Sequence, residues 1–178
     1  MKNSVFIATS LDGFISDKEG KIDFLHSFPN PDNEDLGYSE FMKGVDGIIM
    51  GRTTFETVCS FDIEWPYKVP VFVLSNTLKN IPSQITGVVK IVNGNLTEII
   101  LNLNNQGYRN LYIDGGKTIQ NFLGEDLIDE ITITTIPIIL GGGTSLFGNL
   151  TSPINFRCIN STIYLKSIVQ NKFSRLRI

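Results

Sequence analysis

Two short segments each join an apolar run to glycine and then to residues typical of a helix start. The first is IIMGRTTFE at 48–56, and the second is LYIDGGKTI at 111–119. Glycine at such a junction lets a ligand approach the backbone, and the unpaired N–H groups of the first helical turn attract an anion. Either glycine could instead serve only a tight turn. Together, at the carboxyl ends of two strands, they predict a site for the diphosphate of a dinucleotide.

Polar and cationic side chains near the first junction predict which dinucleotide is bound. Arg52 opens the predicted helix, and Ser75, Asn76 and Lys79 follow the apolar strand at 69–74. A guanidinium, a hydroxyl, an amide and an ammonium suit the 2′-phosphate of NADP better than the bare ribose of NAD. The alternative interpretation is a turn at Ser75 and Asn76 beside a solvated Lys79.

Several classes of protein are excluded by composition and missing motifs. One histidine, His26, cannot form a multi-histidine zinc site, and no G-x-S-x-G motif indicates a serine hydrolase. The glycine motifs of classical dinucleotide-binding domains and of P-loops are also missing. A net charge of −3 and the short apolar runs argue against nucleic-acid binding and membrane spans. Cys59 and Cys158, as free thiols, fit a cytoplasmic protein.

The remaining pattern predicts the elements that position these residues. The alternation of strands and helices indicates an α/β fold in one domain, 1–178, with a mainly parallel sheet and helices on both faces. A β-rich tail predicts antiparallel strands at one edge. We expect a long loop at 11–32 and helices from Asp32 or Asn33 to about Val45, and at 52–60, 96–105 and 118–123. The predicted strands are 2–9, 47–50, 69–75, 88–92, 110–114, 129–137, 155–164 and 168–177.

Four stretches, in this order, resemble the dihydrofolate reductase superfamily. They are ATSLDGFI at 8–15, MGRTTFE at 50–56, VLSN at 73–76 and IDGG at 113–116, the last with Phe122 and Leu123 downstream. The string PIILGGG at 137–143, followed by Leu146 and Phe147, is similar to one branch of that superfamily. This branch contains the C-terminal reductase domain of the bacterial bifunctional riboflavin-biosynthesis protein.

The resemblance implies a three-layer reductase fold that binds NADPH and no metal. It places the 2′-phosphate side of the cofactor at the first junction and the neighbouring strand end, the diphosphate at the second junction, and the nicotinamide pocket at Ala8 and Ile15. The implied cofactor contacts, joined to those predicted from the residues themselves, are Ala8, Ile15, Gly51, Arg52, Thr53, Thr54, Leu74, Ser75, Asn76, Lys79, Ile113, Asp114, Gly115, Gly116, Lys117, Thr118 and Ile119.

The expected activity is hydride transfer from NADPH to a small pterin-like or pyrimidine-like heterocycle. Asp12 and Asp23 are the candidates for substrate contact or proton delivery, although Asp is also a common turn residue. Asp114 departs from the superfamily pattern because it replaces the first glycine of a glycine triplet. The alternative function is a non-catalytic protein that binds NADPH or another nucleotide on the same fold. The resemblance also suggests a homodimer.

Overall fold

The structure is a computed structural model and describes residues 1–177. No helix in this range has the length and apolar character needed to cross a membrane. The short 3-10 helices are Asp23–His26 and Ser83–Ile85. The α-helices are α1 (Tyr38–Lys43), α2 (Arg52–Ser60), α3 (Leu96–Asn105) and α4 (Gly116–Gly124). The strands are β1 (Lys2–Ser10), β2 (Phe14–Ser16), β3 (Gly47–Gly51), β4 (Val71–Leu74), β5 (Val89–Val92), β6 (Asn110–Asp114), β7 (Glu130–Ile136), β8 (Thr144–Ser145), β9 (Phe156–Tyr164) and β10 (Ile168–Arg175).

Eight strands form one mixed sheet in the order β5-β4-β3-β6-β1-β7-β10-β9. The first six strands in this order are parallel, whereas β10 pairs antiparallel with both β7 and β9. The predicted parallel sheet with an antiparallel C-terminal edge is therefore confirmed. The chain runs outward from β3 to β5 and then returns to β6. As a result β3 and β6 are neighbours whose connections leave in opposite directions, which is where α/β sheets open a crevice.

Helices cover both faces of the sheet, as predicted. On one face α3 and α4 pack over Ile49, Leu111 and Ile113. On the other face α1 and α2 pack over Met50 and Tyr112. Successive strand residues point to opposite faces, so the central strands need apolar residues at every position, and this explains their continuous apolar runs.

The largest difference from the predicted elements lies before α1. The helix expected from Asp32 or Asn33 begins only at Tyr38, because Leu36 and Gly37 have positive φ values of 52° and 85°. Those values are incompatible with a right-handed helix. The region expected to be one long loop also contains β2, which pairs with β8 in a separate two-stranded sheet.

Candidate functional site

The two glycine junctions lie side by side at the carboxyl edge of the sheet. Met50 of β3 is in register with Asp114 of β6, and Gly51 is in register with Leu74 of β4. Because these strands are parallel, α2, α4 and the turn after β4 all begin at the same edge. The structure thus brings together the two predicted anion sites and the strand end that carries Ser75.

The glycines of the two junctions allow α2 and α4 to approach each other closely. A Cβ atom at Gly51 would lie 2.9 Å from Thr118 Oγ1 of α4. A Cβ atom at Gly115 would collide with Thr54 Oγ1 of α2, and the φ of Gly115 is 90°. A side chain at Gly51 or Gly115 would therefore separate the starts of the two helices. Both glycines have a packing role in addition to the predicted ligand role.

Ile15 covers the first turn of α4. A Cβ atom at Gly116 would lie 2.6 Å from Ile15 Cδ1 and 3.4 Å from Thr144 Cγ2. Ile15 belongs to β2 and Thr144 to β8, so the small β2–β8 sheet rests on the second junction. This contact places Ile15, predicted from the resemblance as a nicotinamide neighbour, directly beside the predicted diphosphate site.

The cationic side of the site is open to solvent. Arg52, Asn76 and Lys79 are exposed, and Arg52 Nε lies 3.8 Å from Glu56 Oε1. The Ser75 hydroxyl accepts hydrogen bonds from the backbone N–H groups of Thr77 and Leu78, at 3.1 and 2.8 Å. The turn at Ser75, proposed as the alternative interpretation, is therefore present. Its hydroxyl hydrogen is still available to a ligand.

A polar groove of about 820 Å³ begins at the first turn of α4 and follows that helix. The side chain of Asn95 at its rim caps α3 by accepting from the Glu98 N–H group at 3.3 Å. The side-chain amide of Gln120 donates to the Ser145 carbonyl at 2.8 Å, which fixes the opposite wall. The groove is lined by Gly94, Asn95, Leu96, Lys117, Gln120, Asn121, Gly124, Glu125, Gly148 and Asn149.

The other predicted cofactor contacts differ in exposure. Thr53 and Lys117 are exposed, and Ala8 is half-buried on β1 in register with Thr134. By contrast, Ile113 is fully buried and Ile119 is 1% exposed. Their side chains belong to the core beneath α4, so any contact from these two residues to a cofactor would have to use backbone atoms.

Asp114 stands out among the acidic residues because burial raises its pKa. It is half-buried, and its Oδ1 accepts a hydrogen bond from the Gly115 N–H at 2.8 Å. Three phenols, those of Tyr38, Tyr67 and Tyr112, lie near enough for its charge to raise their pKa values, and we call these four residues the Asp114 cluster. Burial and the nearby Asp114 carboxylate raise the pKa of Tyr38 to about 12, and the pKa values of Tyr67 and Tyr112 rise for the same reasons.

The sequence predicts Asp114 only as a cofactor contact and does not indicate the cluster. The available signal was the acidic residue in place of the first glycine of the triplet. Tyr112 shares a face of β6 with Asp114 because the two residues are two positions apart. Tyr38 comes from α1 and Tyr67 from the loop before β4, and only the tertiary structure brings those elements together.

Asp12 and Asp23, the predicted catalytic residues, lie in different surroundings. The Asp12 carboxylate accepts from the Ser10 hydroxyl at 2.6 Å and from the N–H groups of Leu140 and Gly141 at 3.1 and 2.8 Å. These hydrogen bonds, the one from Ser10 first, lower the pKa of Asp12 and give it a structural role. Asp23 is exposed and begins a 3-10 helix. The catalytic roles of both residues stay predictions.

Asp35 has a structural function at the start of α1. Its carboxylate accepts hydrogen bonds from the backbone N–H groups of Gly37 and Ser39, at 2.9 and 2.8 Å. Hydrogen bonding from Ser39 lowers the pKa of Asp35. Within residues 1–177, no group of three histidine, cysteine, aspartate or glutamate residues is placed to hold a metal ion.

Comparisons with known proteins agree with this architecture. A crystal structure from Shewanella sp. PV-4, of a protein provisionally named as a riboflavin biosynthesis protein, is 55% identical with a TM-score of 0.97, covering 99% of this chain and 100% of that one. YwjB of Bacillus subtilis, an uncharacterized protein, is 35% identical over 158 residues, which is 88% of each chain. Dihydrofolate reductase from Enterococcus faecalis shares the fold at 16% identity and a TM-score of 0.68, covering 99% of this chain and 97% of that one.

The family comparison is equally extensive. The model of the RibD C-terminal domain matches residues 4–169, which include both glycine junctions, the Asp114 cluster and the β2–β8 sheet. The resemblance inferred from the sequence motifs is thereby confirmed. This chain belongs to the RibD C-terminal domain family.

Proposed function

We propose that this protein is an NADPH-dependent reductase that transfers a hydride to a small heterocycle. The observation that carries the proposal is the position of Asp114. This carboxyl group has a raised pKa and lies at the junction between β6 and α4, beside the start of α2. One edge of the sheet therefore offers both sites for a polyanionic cofactor and a group that can hold a proton.

The residues present fit NADPH in charge and in placement. Two helix N-termini meet at the switch point, and helix N-termini favour phosphate groups. Arg52 and Lys79 would bind the 2′-phosphate, while Lys117 leads from the second junction into the polar groove, which has room for the adenosine end. The dihydrofolate reductase of Enterococcus faecalis, which has the same fold, has been crystallised in complex with NADP(H).

Reduction of a C=N or C=O bond requires two transfers. NADPH, when bound, supplies the hydride that adds to carbon. The nitrogen or oxygen of the same bond then needs a proton, and a carboxyl group with a raised pKa keeps its proton to higher pH than an ordinary aspartate does. Asp114 would give up this proton and recover another from solvent. Asp12 and Asp23 remain the alternative proton sources, through a bound water or loop movement.

The aromatic residues on the α1 side support a planar substrate. The ring of Phe6 lies 5.7 Å from that of Tyr38 and 5.0 Å from that of Phe41, measured between centroids. These three rings pack on one another and are each partly exposed. Partly exposed rings suit flat heterocycles, which stack on rings and hydrogen-bond at their edges. A pterin-like or pyrimidine-like ring is therefore the proposed substrate class, in line with the riboflavin-type relatives.

The proposal can be tested by pairing a binding measurement with a turnover measurement. Calorimetric titration with NADPH and NADH would measure cofactor preference, and NADPH oxidation would be followed with a panel of pterins and aminopyrimidines, with and without a ribosyl phosphate. We expect preferential NADPH binding and turnover with at least one ring class. Tight NADPH binding without turnover would instead support a non-catalytic nucleotide-binding protein, and equal affinity for NADH would contradict the 2′-phosphate assignment.

A further inference from the structure

The polar groove along α4 begins beside the proposed 2′-phosphate site. Gly94 and Asn95 on its rim follow β5, which is the parallel neighbour of β4. The ends of these two strands are joined, since the Ser75 N–H donates to the Val92 carbonyl at 3.1 Å. In NADPH the base and the 2′-phosphate are attached to neighbouring carbons of one ribose. A phosphate bound at Ser75 would therefore bring the adenine base to this groove.

The side-chain amide of Asn95 has a fixed orientation. Its Oδ1 accepts a hydrogen bond from the Glu98 N–H at 3.3 Å, in the manner of a helix cap. An amide carries its oxygen and its nitrogen on separate arms, so this bond directs Nδ2 away from the first turn of α3. Nδ2 donates to no group within residues 1–177. Asn95 consequently offers an unused donor at the rim of the groove.

The side-chain amide of Gln120, which also lines the groove, is fixed in the complementary way. Its Nε2 donates to the Ser145 carbonyl at 2.8 Å. A carbonyl can only accept, and the reversed amide would bring two oxygens together, so the free arm is Oε1. This oxygen accepts no hydrogen bond from the part of the chain that the structure describes. Gln120 consequently offers an unused acceptor.

Gly148 keeps the Gln120 amide uncovered. A Cβ atom at this position would lie 3.1 Å from both Cδ and Oε1 of Gln120. The φ of Gly148 is not positive, so its backbone conformation does not require glycine. The lack of a side chain instead leaves space directly beside the unused acceptor, where an atom of a ligand can lie.

The two free amide arms match one edge of adenine. Its 6-amino group donates and the ring nitrogen N7 accepts. We propose that the polar groove recognises the adenine base, with Gln120 Oε1 accepting from the 6-amino group and Asn95 Nδ2 donating to N7. The inference rests on the proposed binding of NADPH and adds to it a choice of base. Hypoxanthine has an oxygen in place of the amino group, and that oxygen would face Oε1 with no hydrogen between them.

The test compares NADPH with deamino-NADPH, the same dinucleotide with hypoxanthine in place of adenine. Both would be titrated calorimetrically into the full chain without substrate. We expect NADPH to bind about tenfold more tightly, because in the deamino form the Gln120 acceptor loses its donor. Equal affinities, or tighter binding of deamino-NADPH, would overturn the proposal.

Gln120→Met removes the amide at similar volume, and we expect the two affinities to become nearly equal in this variant. Gln106→Met is the matched control. Gln106 also donates from Nε2 to a backbone carbonyl, that of Asn102 at 3.3 Å, but it follows the C-terminal end of α3, away from the groove. The control should keep the full preference for NADPH. An undiminished preference in Gln120→Met, or an equal loss in both variants, would overturn the role of Gln120.

Gln120→Glu separates contact with the base from support of the groove wall. Glutamate retains acceptor oxygens but cannot donate to the Ser145 carbonyl when ionised. We expect both dinucleotides to bind more weakly while the preference for NADPH is retained. Loss of the preference would mean that Gln120 acts only by holding the wall, which would overturn the proposed contact.

Asn95→Ser tests the other half of the contact, since serine still caps α3 but lacks the amide donor. We expect NADPH and deamino-NADPH to lose affinity equally, about threefold to tenfold, because both bases have N7. Unchanged affinities would overturn the role of Asn95. None of these titrations requires turnover. A preference for NADPH without its oxidation would contradict only the reductase assignment, whereas oxidation of NADPH with equal affinity for both dinucleotides would contradict only the base contact.

Discussion

Asp12 follows β1, and Asp114 ends the neighbouring strand β6. Their carboxyl groups nevertheless lie in opposite environments. Asp12 is exposed and accepts hydrogen bonds from a hydroxyl and two backbone N–H groups, which lower its pKa. Asp114 is half-buried, and its pKa is raised by burial despite the hydrogen bond from Gly115. Two carboxyl groups at one edge of the sheet are thus suited to different tasks.

The difference lies in what each carboxylate connects. Asp12 ties the end of β1 to the turn at Leu140 and Gly141, more than a hundred residues away in sequence, and its negative charge strengthens those hydrogen bonds. Asp114 is half-buried beside phenols, and this burial outweighs the hydrogen bonding that acts to lower its pKa. The first site lowers the pKa of its carboxyl group and holds the loop, whereas burial at the second raises the pKa of Asp114, as the proposed proton transfer requires.

Replacing the two carboxyl groups separately should give the largest contrast. Asp114→Asn keeps the shape of the side chain but removes its exchangeable proton, so we expect kcat to fall by roughly 10²–10⁴-fold, the usual contribution of general acid catalysis. Asp12→Asn should leave kcat within a few-fold of the natural protein. Steady-state NADPH oxidation with a turned-over heterocycle measures both. A reversed order of the two effects would return the catalytic assignment to Asp12.

Replacing Arg52 tests the proposed 2′-phosphate site at the same edge of the sheet. In Arg52→Ala the loss of a charge-assisted hydrogen bond, worth roughly 1.5–3 kcal/mol, should weaken NADPH binding about tenfold to a hundredfold and leave NADH binding nearly unchanged. Arg109→Ala is the matched control, since Arg109 is also exposed but precedes β6 at the opposite edge of the sheet. An equal loss of affinity for both cofactors would separate Arg52 from the 2′-phosphate.

Gly116→Val should have a smaller and mixed effect. The added Cβ would meet Ile15 Cδ1 at 2.6 Å, and the far end of that side chain can move aside. We expect the β2–β8 sheet to shift off α4, NADPH affinity to fall about tenfold, and overpacking to cost roughly 1–3 kcal/mol of stability. Calorimetry and thermal unfolding would measure the two effects. A folded variant with unchanged NADPH affinity would show that this junction does not hold the diphosphate.

The sequence predicts most elements of the sheet edge because their signals are local. Helices α2 and α3 run over the predicted residues, and α3 starts where Asn95 caps it and accepts from Glu98. The β2–β8 pairing could not be predicted, since it joins residues about 130 positions apart through the positive φ of Gly143, 137°, and its close approach to Ser16. Such contacts depend on how the whole chain packs.

The same distinction applies to the candidate site. The two glycine junctions lie side by side because β3 and β6 are neighbouring parallel strands. The two glycine motifs, each at the end of a predicted strand, are local signals that predict both junctions. The Asp114 cluster depends on Tyr67, which stands in an irregular segment, and on Tyr38, whose helix begins later than predicted because of the positive φ at Leu36. Neither position carries a periodic signal, so the surroundings of Asp114 emerge only from the tertiary structure.

The pH dependence of stability should separate the two carboxyl groups even without a substrate. The folded-state pKa of Asp114 lies above its ordinary value of 3.8, so its contribution to stability is greatest below that value and is lost as pH rises through the folded pKa. Asp114→Asn cannot ionise, so it avoids the stability that the natural protein loses as Asp114 ionises. Its melting temperature should therefore be higher than that of the natural protein at neutral pH but not at pH 3. The folded-state pKa of Asp12 is depressed, so its contribution is present above 3.8 and is lost as pH falls. Asp12→Asn should therefore lower the melting temperature at neutral pH, with a difference that shrinks in acid. Calorimetric scans from pH 3 to 8 measure both differences, and parallel curves for the two variants would mean that the two carboxyl groups do not differ in environment as described.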